Sequence, residues 1–143
     1  MAVRLALLPF PALLLAFAPP PSGAPIAVAV TNVTAAKGRI HVDICPEARF
    51  LKEDCPWSGE APAMIGTTIV IVADVPPGLY AAQAFHDRNG NGKVDRALFG
   101  IPREPIGFSN DAPVNMRPPK WAAAAFRHDD KAQRITLKLR SFL

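Results

Sequence analysis

Residues 86–95 are the stretch of this 143-residue chain whose residue types and spacing point most directly to chemistry. They read His-Asp-Arg-Asn-Gly-Asn-Gly-Lys-Val-Asp, so oxygen-bearing side chains alternate, a glycine follows, and an aspartate comes three residues later. This spacing matches the first part of a calcium-binding loop of the form D-x-N-x-N-G-x-x-D. A hard cation takes about six to eight oxygen ligands, and side chains at alternate positions of a tight coil converge on one point. The predicted ligands within the loop are Asp87, Asn89, Asn91, the carbonyl oxygen of Lys93 and Asp95.

The loop departs from a helix–loop–helix calcium site in two respects. Leu98 occupies the position of the bidentate glutamate, and the preceding residues 80–85 read as a strand rather than a helix. The remaining ligands must therefore come from elsewhere, and Glu104 and Asp111 are the nearest unassigned acids. We include Glu104 in the predicted metal site. With about three carboxylates, the expected calcium affinity is modest, in the range of about 10⁻⁴–10⁻³ M found for extracellular modules.

A purely structural interpretation of the same residues competes with the cation site. The two Asn-Gly pairs at 89–90 and 91–92 are turn-forming dipeptides, and under this interpretation the loop carboxylates are solvated. Residues 100–110 also have two interpretations. Either Glu104 folds back onto the loop as a ligand, or the packing of Phe99, Ile101 and Phe108 onto the domain holds a long surface loop.

The elements that position this loop are short and separated by turn residues. The chain contains 16 proline and 9 glycine residues, which argues against a bundle of long helices or a coiled coil. Short apolar or alternating segments between the turns predict an all-β domain, a single antiparallel β-sandwich of six to seven strands. The predicted strands are 26–33, 38–45, 67–75, 79–86 and 135–139, with 121–126 as either a strand or a helix.

Three details of the strand pattern make further predictions. Residues 35–38 form a turn that joins the first two strands into a hairpin. The β-branched run at 67–75 is a strand buried on both faces. Residues 46–62 form a loop that carries Cys55 and Trp57.

The N-terminal residues have the composition of a secretory signal. Residues 1–4 form a short basic start, and the uncharged apolar run at 5–18 is shorter than the roughly 20 residues that span a bilayer. We assign 1–25 to a signal peptide with a proline-rich junction and 26–143 to the β-sandwich domain, whereas the competing interpretation is an uncleaved membrane anchor. The mature chain is then periplasmic or secreted, without a transmembrane span.

Export determines how the two cysteines are interpreted. Cys45 and Cys55 are the only cysteines, and an even count in an oxidising compartment favours a disulfide over two unpaired thiols. Closing a loop of about ten residues contributes on the order of 2–3 kcal/mol to stability. A metal site at the cysteines is not favoured, because Glu47, Glu53 and Asp54 are the only additional ligands nearby.

Several classes of function find no support in the sequence. The net charge of +4 comes from scattered lysines and arginines, so we expect no nucleic-acid partner. The segment 107–111 lacks the second glycine of a nucleophile elbow, and the three histidines form no metal-ligand pair. His86 beside Asp87 is the remaining candidate general base, and we predict no catalytic residue. Core or rim packing is the favoured role of Trp57, Tyr80 and Trp121 over an aromatic carbohydrate platform.

Several fragments occur in an order that resembles a known bacterial exported family, domain of unknown function 2141. They are Asn-Val at 32–33, Lys-Gly at 37–38, Pro-Gly-Leu-Tyr-Ala at 77–81, the loop with its preceding phenylalanine at 85–95, Gly-Ile-Pro-Arg-Glu at 100–104, Gly-Phe-Ser-Asn at 107–110, and the segments 118–126 and 135–139. The resemblance covers about residues 26–140. It implies a prealbumin-like or immunoglobulin-like sandwich in the cell envelope and implies no activity.

Together these observations predict an exported binding or structural module with a calcium-type loop. The alternative is a small hydrolase or a carbohydrate-binding domain that uses the same loop region. The sequence identifies no partner; an envelope protein or a glycan fits the predicted location.

Overall fold

The computed structural model describes residues 23–143, and the predicted signal peptide lies almost wholly outside them. The described residues form eight strands, three 3₁₀ turns at Glu47–Arg49, Leu98–Gly100 and Ser109–Asp111, and one short helix. The strands are β1 (Ala24–Val33), β2 (Arg39–Cys45), β3 (Trp57–Pro62), β4 (Gly66–Val75), β5 (Gly78–Asp87), β6 (Ile106–Phe108), β7 (Phe126–His128) and β8 (Gln133–Lys138), and the helix is α1 (Trp121–Ala124).

The strands form two sheets that pack as a β-sandwich, which confirms the predicted fold class. One sheet has the order β4-β1-β8, and the other has the order β3-β2-β5-β6 with β7 also paired to β5. The described strands number eight rather than six or seven. The expectation of a wholly antiparallel sandwich is wrong at one place, because β1 and β8 pair in parallel.

The predicted hairpin between the first two strands is also wrong. β1 pairs with β4 and β8, whereas β2 pairs with β3 and β5, so residues 34–38 carry the chain from one sheet to the other. Alternation of apolar residues shows that each strand has one buried face. Two strands have this pattern when they are neighbours in one sheet, and equally when they lie in different sheets that face each other across the core. The strand pattern alone therefore does not identify the partner.

The core fills the space between the two sheets. It is built from alternating side chains of β1, β2 and β4, joined by residues of β5 and by Leu137 and Leu139 at the end of the chain. Each fully buried valine, leucine or isoleucine contributes about 1.5–3 kcal/mol through removal of apolar surface from water. The β-branched run predicts that β4 is buried on both faces, but Ile69 and Ile71 on its outer face are 40% and 56% exposed. That prediction is wrong because the outer face of this three-stranded sheet is open in the described part of the chain.

Glycines allow the two sheets to approach each other at both lateral edges. A Cβ atom on Gly59 of β3 would lie 2.4 Å from the carbonyl oxygen of Ile71, and one on Gly107 of β6 would lie 2.4 Å from that of Lys138. No side chain fits at such a distance, so these positions require glycine. The five-stranded sheet is thereby held against β4 at one edge and against β8 at the other.

Two segments differ in secondary structure from their predictions. Residues 57–62, predicted as part of a loop, form β3, because pairing with β2 imposes an extended backbone on a segment that is poor in β-branched residues. Residues 121–126 contain α1, and Phe126 then begins β7. Within residues 23–143, no helix has the length and apolar character needed to cross a membrane.

Candidate functional site

A groove of about 910 Å³ lies on the outer face of the five-stranded sheet. Cross-strand pairing places two rows of side chains on its floor. The first row runs His41, Phe85 and Ile106, with Glu60 next to His41 outside the groove lining, and the second runs Ser58, Asp43, Gln83 and Phe108. The β3 and β2 side of the floor is thus polar, and the β5 and β6 side is apolar except for Gln83.

The disulfide loop, residues 46–54, borders the floor at one end. Cys45 of β2 is bonded to Cys55, which confirms the predicted disulfide. Gln83 on the floor holds the loop down, since it accepts a hydrogen bond from the N–H of Leu51 at 3.0 Å and donates one to the carbonyl of Lys52 at 2.7 Å. The aromatic ring of Phe50 then packs edge-on against Phe108.

A hairpin of residues 96–102 lines another part of the groove. The N–H of Ala97 donates to the carbonyl of Ile101 at 2.7 Å, and the Arg96 guanidinium donates to the carbonyl of Gly100 at 3.0 Å. These bonds hold Phe99 at the tip with φ of +61° and its side chain 99% exposed. The interpretation that Phe99 packs onto the sandwich is therefore wrong, although Phe108 does pack there.

The predicted cation loop lies directly before this hairpin, and Asp87 organises it. Asp87 is the last residue of β5 and is only 3% exposed. One carboxylate oxygen accepts the N–H groups of Gly90 and Asn91 at 2.8 and 3.2 Å, and the other accepts that of Gly92 at 2.8 Å. The expectation that a structural loop leaves its carboxylates solvated is wrong for Asp87, because three backbone donors surround it.

Glu104 folds back onto the loop, as one of the two sequence interpretations predicted. It is 6% exposed, and its two carboxylate oxygens accept the N–H groups of Arg88 and Asp95 at 3.0 and 3.2 Å. Asp111, the other unassigned acid, instead accepts the N–H of Lys138 at 3.1 Å. The structure therefore brings Glu104, but not Asp111, to the loop.

The amide side chains complete the loop network around Asp95. Asn89 and Asn91 donate from Nδ2 to its two carboxylate oxygens at 2.5 and 2.8 Å. Their own side-chain oxygens accept the N–H groups of Asn91 and Lys93 at 3.2 and 3.0 Å. All six residues of the predicted metal site thus belong to one hydrogen-bonded unit, in which Lys93 takes part through its N–H group.

As arranged, the carboxylate oxygens of the predicted ligands accept hydrogen bonds from the loop itself. Seven N–H groups occupy the oxygens of Asp87, Asp95 and Glu104. A cation at Asp95 would have to displace the two asparagine amides. In residues 23–143 no group of three or more histidine, cysteine, aspartate or glutamate side chains is placed to hold a metal ion.

A charged cluster on the polar side of the groove was not predicted as a site. His41 Nε2 lies 2.8 Å from Asp43, and its Nδ1 lies 3.0 Å from Glu60. Since a carboxylate only accepts hydrogen bonds, both ring nitrogens donate and the ring is an imidazolium. The hydrogen bond to Asp43, together with that to Glu60 and against the effect of burial, raises the pKa of His41 from 6.5 to about 8. The same contact with His41 lowers the pKa of Glu60.

The remaining functional candidates from the sequence are structural in this fold. His86 is fully buried, and its Nε2 donates to the carbonyl of Lys37 at 2.6 Å, so it is not available to a substrate as a general base. Trp57 and Tyr80 pack edge-on at 5.3 Å in contact with the main core, and Trp121 packs in the separate cluster around Phe108. The prediction that these aromatic residues serve packing is confirmed.

The His41 cluster predicts a pH dependence of stability in a defined range. A raised pKa stabilises the folded state fully below the unfolded value of 6.5, and that contribution is lost as the pH rises through about 8. A shift of this size corresponds to about 2 kcal/mol. Because the pKa of Glu60 is lowered from 4.5, its contribution to stability is present above pH 4.5 and is lost as the pH falls through its folded pKa.

Urea unfolding between pH 5 and 9 should show the loss of stability on the alkaline side, and His41→Gln should remove that loss. An equal slope in both proteins would contradict the assignment.

The buried carboxylate of Asp87 predicts a strong effect of an uncharged isostere. Asp87→Asn replaces one acceptor oxygen by an N–H₂ group that faces a backbone donor, so the free energy of unfolding should fall by about 1.5–3 kcal/mol. Amide hydrogen exchange at residues 90–92 should accelerate in parallel. Asp74→Asn, at an exposed position of β4, is the matched control and should change stability by less than about 0.5 kcal/mol. Unchanged exchange in Asp87→Asn would refute the role of Asp87 in holding the loop.

Comparison with known proteins identifies a family and no activity. No curated protein and no solved structure shows detectable similarity to this chain. A family model described as an uncharacterized protein conserved in bacteria, domain of unknown function 2141 (DUF2141), matches residues 28–136. The match runs from Val28 in β1 to Thr136 in β8 and includes the loop and both segments that border the groove. The chain therefore belongs to the bacterial family of domain of unknown function 2141.

Proposed function

We propose that this protein is an exported binding module of the bacterial cell envelope and that the groove on the five-stranded sheet is its ligand site. The observation that carries the proposal is the groove itself. Its volume of about 910 Å³ falls within the range of about 300–1,000 Å³ typical of small-molecule sites. Apolar side chains on one half of the floor and a few fixed polar groups on the other are the usual composition of such sites.

Two features support a location outside the cytoplasm. The apolar N-terminal run has the composition of a secretory signal. The Cys45–Cys55 disulfide borders the groove, and such bonds persist in oxidising compartments. In a periplasmic or secreted protein the disulfide would stay oxidised, so the loop that it closes would keep its place at the border of the groove.

Binding accounts for the groove better than hydrolysis does. The histidine on its floor donates from both ring nitrogens to carboxylates, so it holds no free lone pair with which to take a proton. His41 therefore acts as a fixed cation within a charged cluster. A carbohydrate ligand would find no aromatic platform formed by Trp57 and Tyr80, since both pack against the core.

The groove proposal predicts that a charge on its apolar wall weakens binding. Ile101 lines the groove and is 38% exposed, so the variant Ile101→Asp should fold normally. It should weaken binding of an uncharged apolar dye such as Nile red at least about tenfold, because the substitution removes an apolar contact and buries a carboxylate under the ligand. The measurement is a fluorescence titration. Ile65→Asp is the matched control, because Ile65 is 71% exposed and does not line the groove. Equal loss in both variants, or no saturable binding by the wild type, would reject the groove as the ligand site.

Cation binding by the 87–95 loop is a second candidate function. The observation that favours it is the convergence of two amide side chains on Asp95, where a cation of modest affinity would compete with N–H donors. The spacing of the acidic and amide residues agrees with a calcium-type loop. Cation binding would break the two hydrogen bonds that the asparagine amides donate to Asp95, so binding should be weak rather than tight.

The cation candidate predicts stabilisation by calcium. At a calcium concentration about 10–100 times Kd, the free energy of unfolding should rise by about 1.4–2.7 kcal/mol. Thermal unfolding in calcium chloride up to about 10–20 mM, well above the affinity range of extracellular modules, measures the effect. Asp95→Asn should abolish it, whereas Asp129→Asn, in the exposed turn before β8, should not. No shift in the wild type would exclude a calcium site.

A further inference from the structure

The side chains that border the groove carry an excess of positive charge. Among the described residues that line it, four are lysine or arginine and two are acidic. One acid, Asp43, is already hydrogen-bonded to His41 and Gln83, and the other, Glu53, lies in the disulfide loop. The four basic residues are Lys52, Lys93, Arg96 and Arg117.

None of these cations is neutralised by an ion pair to an acidic side chain in the part of the chain that the structure describes. The described ion pairs join Arg39 and His41 to Glu60, His41 to Asp43, and Arg49 to Asp54. Among residues 23–143, the Arg96 side chain donates only to the carbonyl of Gly100. The groove therefore presents unpaired cations at its rim, where they attract an anion.

The apolar residues of the groove favour contact with an apolar part of the ligand rather than with its charged group. Phe85, Ile106 and Phe108 form the apolar half of the floor. At the mouth, Phe99 is 99% exposed and Met116 is wholly exposed, and both have positive φ. A bulky residue in this conformation costs on the order of 1–2 kcal/mol, so the backbone presents these side chains to solvent at the expense of stability. Large apolar side chains clustered in this way mark a binding surface.

Together the two features define the class of ligand. We infer that the groove binds an amphiphile that carries an acidic group, with its apolar chain on the β5 and β6 half of the floor and its anionic group at the basic rim. This inference rests on the proposed binding function and specifies its ligand. A sugar would leave the apolar half of the floor unused, and a cationic amphiphile would meet like charge at the rim.

A pair of probes that differ only in charge tests the inference. A fluorescent polyene fatty acid should bind with at least about tenfold higher affinity than its methyl ester, because only the acid can pair with the rim cations. Exposed ion pairs contribute about 0.2–1 kcal/mol each, so the double variant Lys93→Gln/Arg117→Gln should weaken binding of the acid by about twofold to thirtyfold and leave the ester unchanged. The double variant Lys131→Gln/Arg134→Gln makes the same change in net charge away from the groove and is the control.

The outcomes separate the inference from the proposed function. Equal affinity for acid and ester, or equal loss in both double variants, would overturn the acidic-ligand inference and leave the groove as a binding site. Absence of saturable binding of either probe would overturn both the inference and the proposed function.

A further experiment uses vesicles that contain anionic phospholipid. Binding to vesicles that is insensitive to Ile101→Asp, with no binding of the monomeric acid, would assign the basic rim to a membrane surface and overturn the inference.

Discussion

Two buried carboxylates, Asp87 and Glu104, fix the long irregular segment between β5 and β6. Between β5 and β6 the chain runs through 18 residues without a strand. Five backbone N–H groups of its first part donate to these two side chains. A buried carboxylate without donors, or buried N–H groups without acceptors, would each cost several kcal/mol, so the two requirements satisfy one another. The hairpin that carries Phe99 begins where this network ends, and its position therefore depends on the two acids.

The other border of the groove is held by different means. There a disulfide and the side chain of Gln83 hold the loop after β2 onto the sheet, and Phe50 packs it against Phe108. Neither border consists of regular sheet, so the groove owes its shape to covalent and hydrogen-bonded constraints on loops. The sandwich beneath supplies a flat floor, and its two edges are held close by Gly59 and Gly107. A rigid sheet with loops that define the site is a common arrangement for binding proteins.

Local features could be predicted from the sequence, and features that depend on strand partners could not. The bounds of β2 and β5 and the disulfide follow from short-range patterns. The return of Glu104 is one of two interpretations that the sequence leaves open. The outward alternation of His41 and Asp43 along β2 is equally visible in the sequence. The approach of Glu60 to these two residues is not visible in the sequence, because β3 is extended only through its pairing with β2. The groove escapes prediction for the same reason, since its floor combines side chains from four strands that are distant in sequence.

The 87–95 loop shows why spacing alone does not distinguish a cation site from a hydrogen-bonded loop. A carboxylate offers the same lone pairs to a metal ion and to an N–H group, and a tight coil directs alternating side chains inward in both cases. The distinction depends on how many backbone donors reach those oxygens, which is a property of the folded chain. In this domain all the donors to Asp87, Asp95 and Glu104 come from residues 88–95, within the loop itself. The loop can therefore hold the groove wall through its own hydrogen bonds.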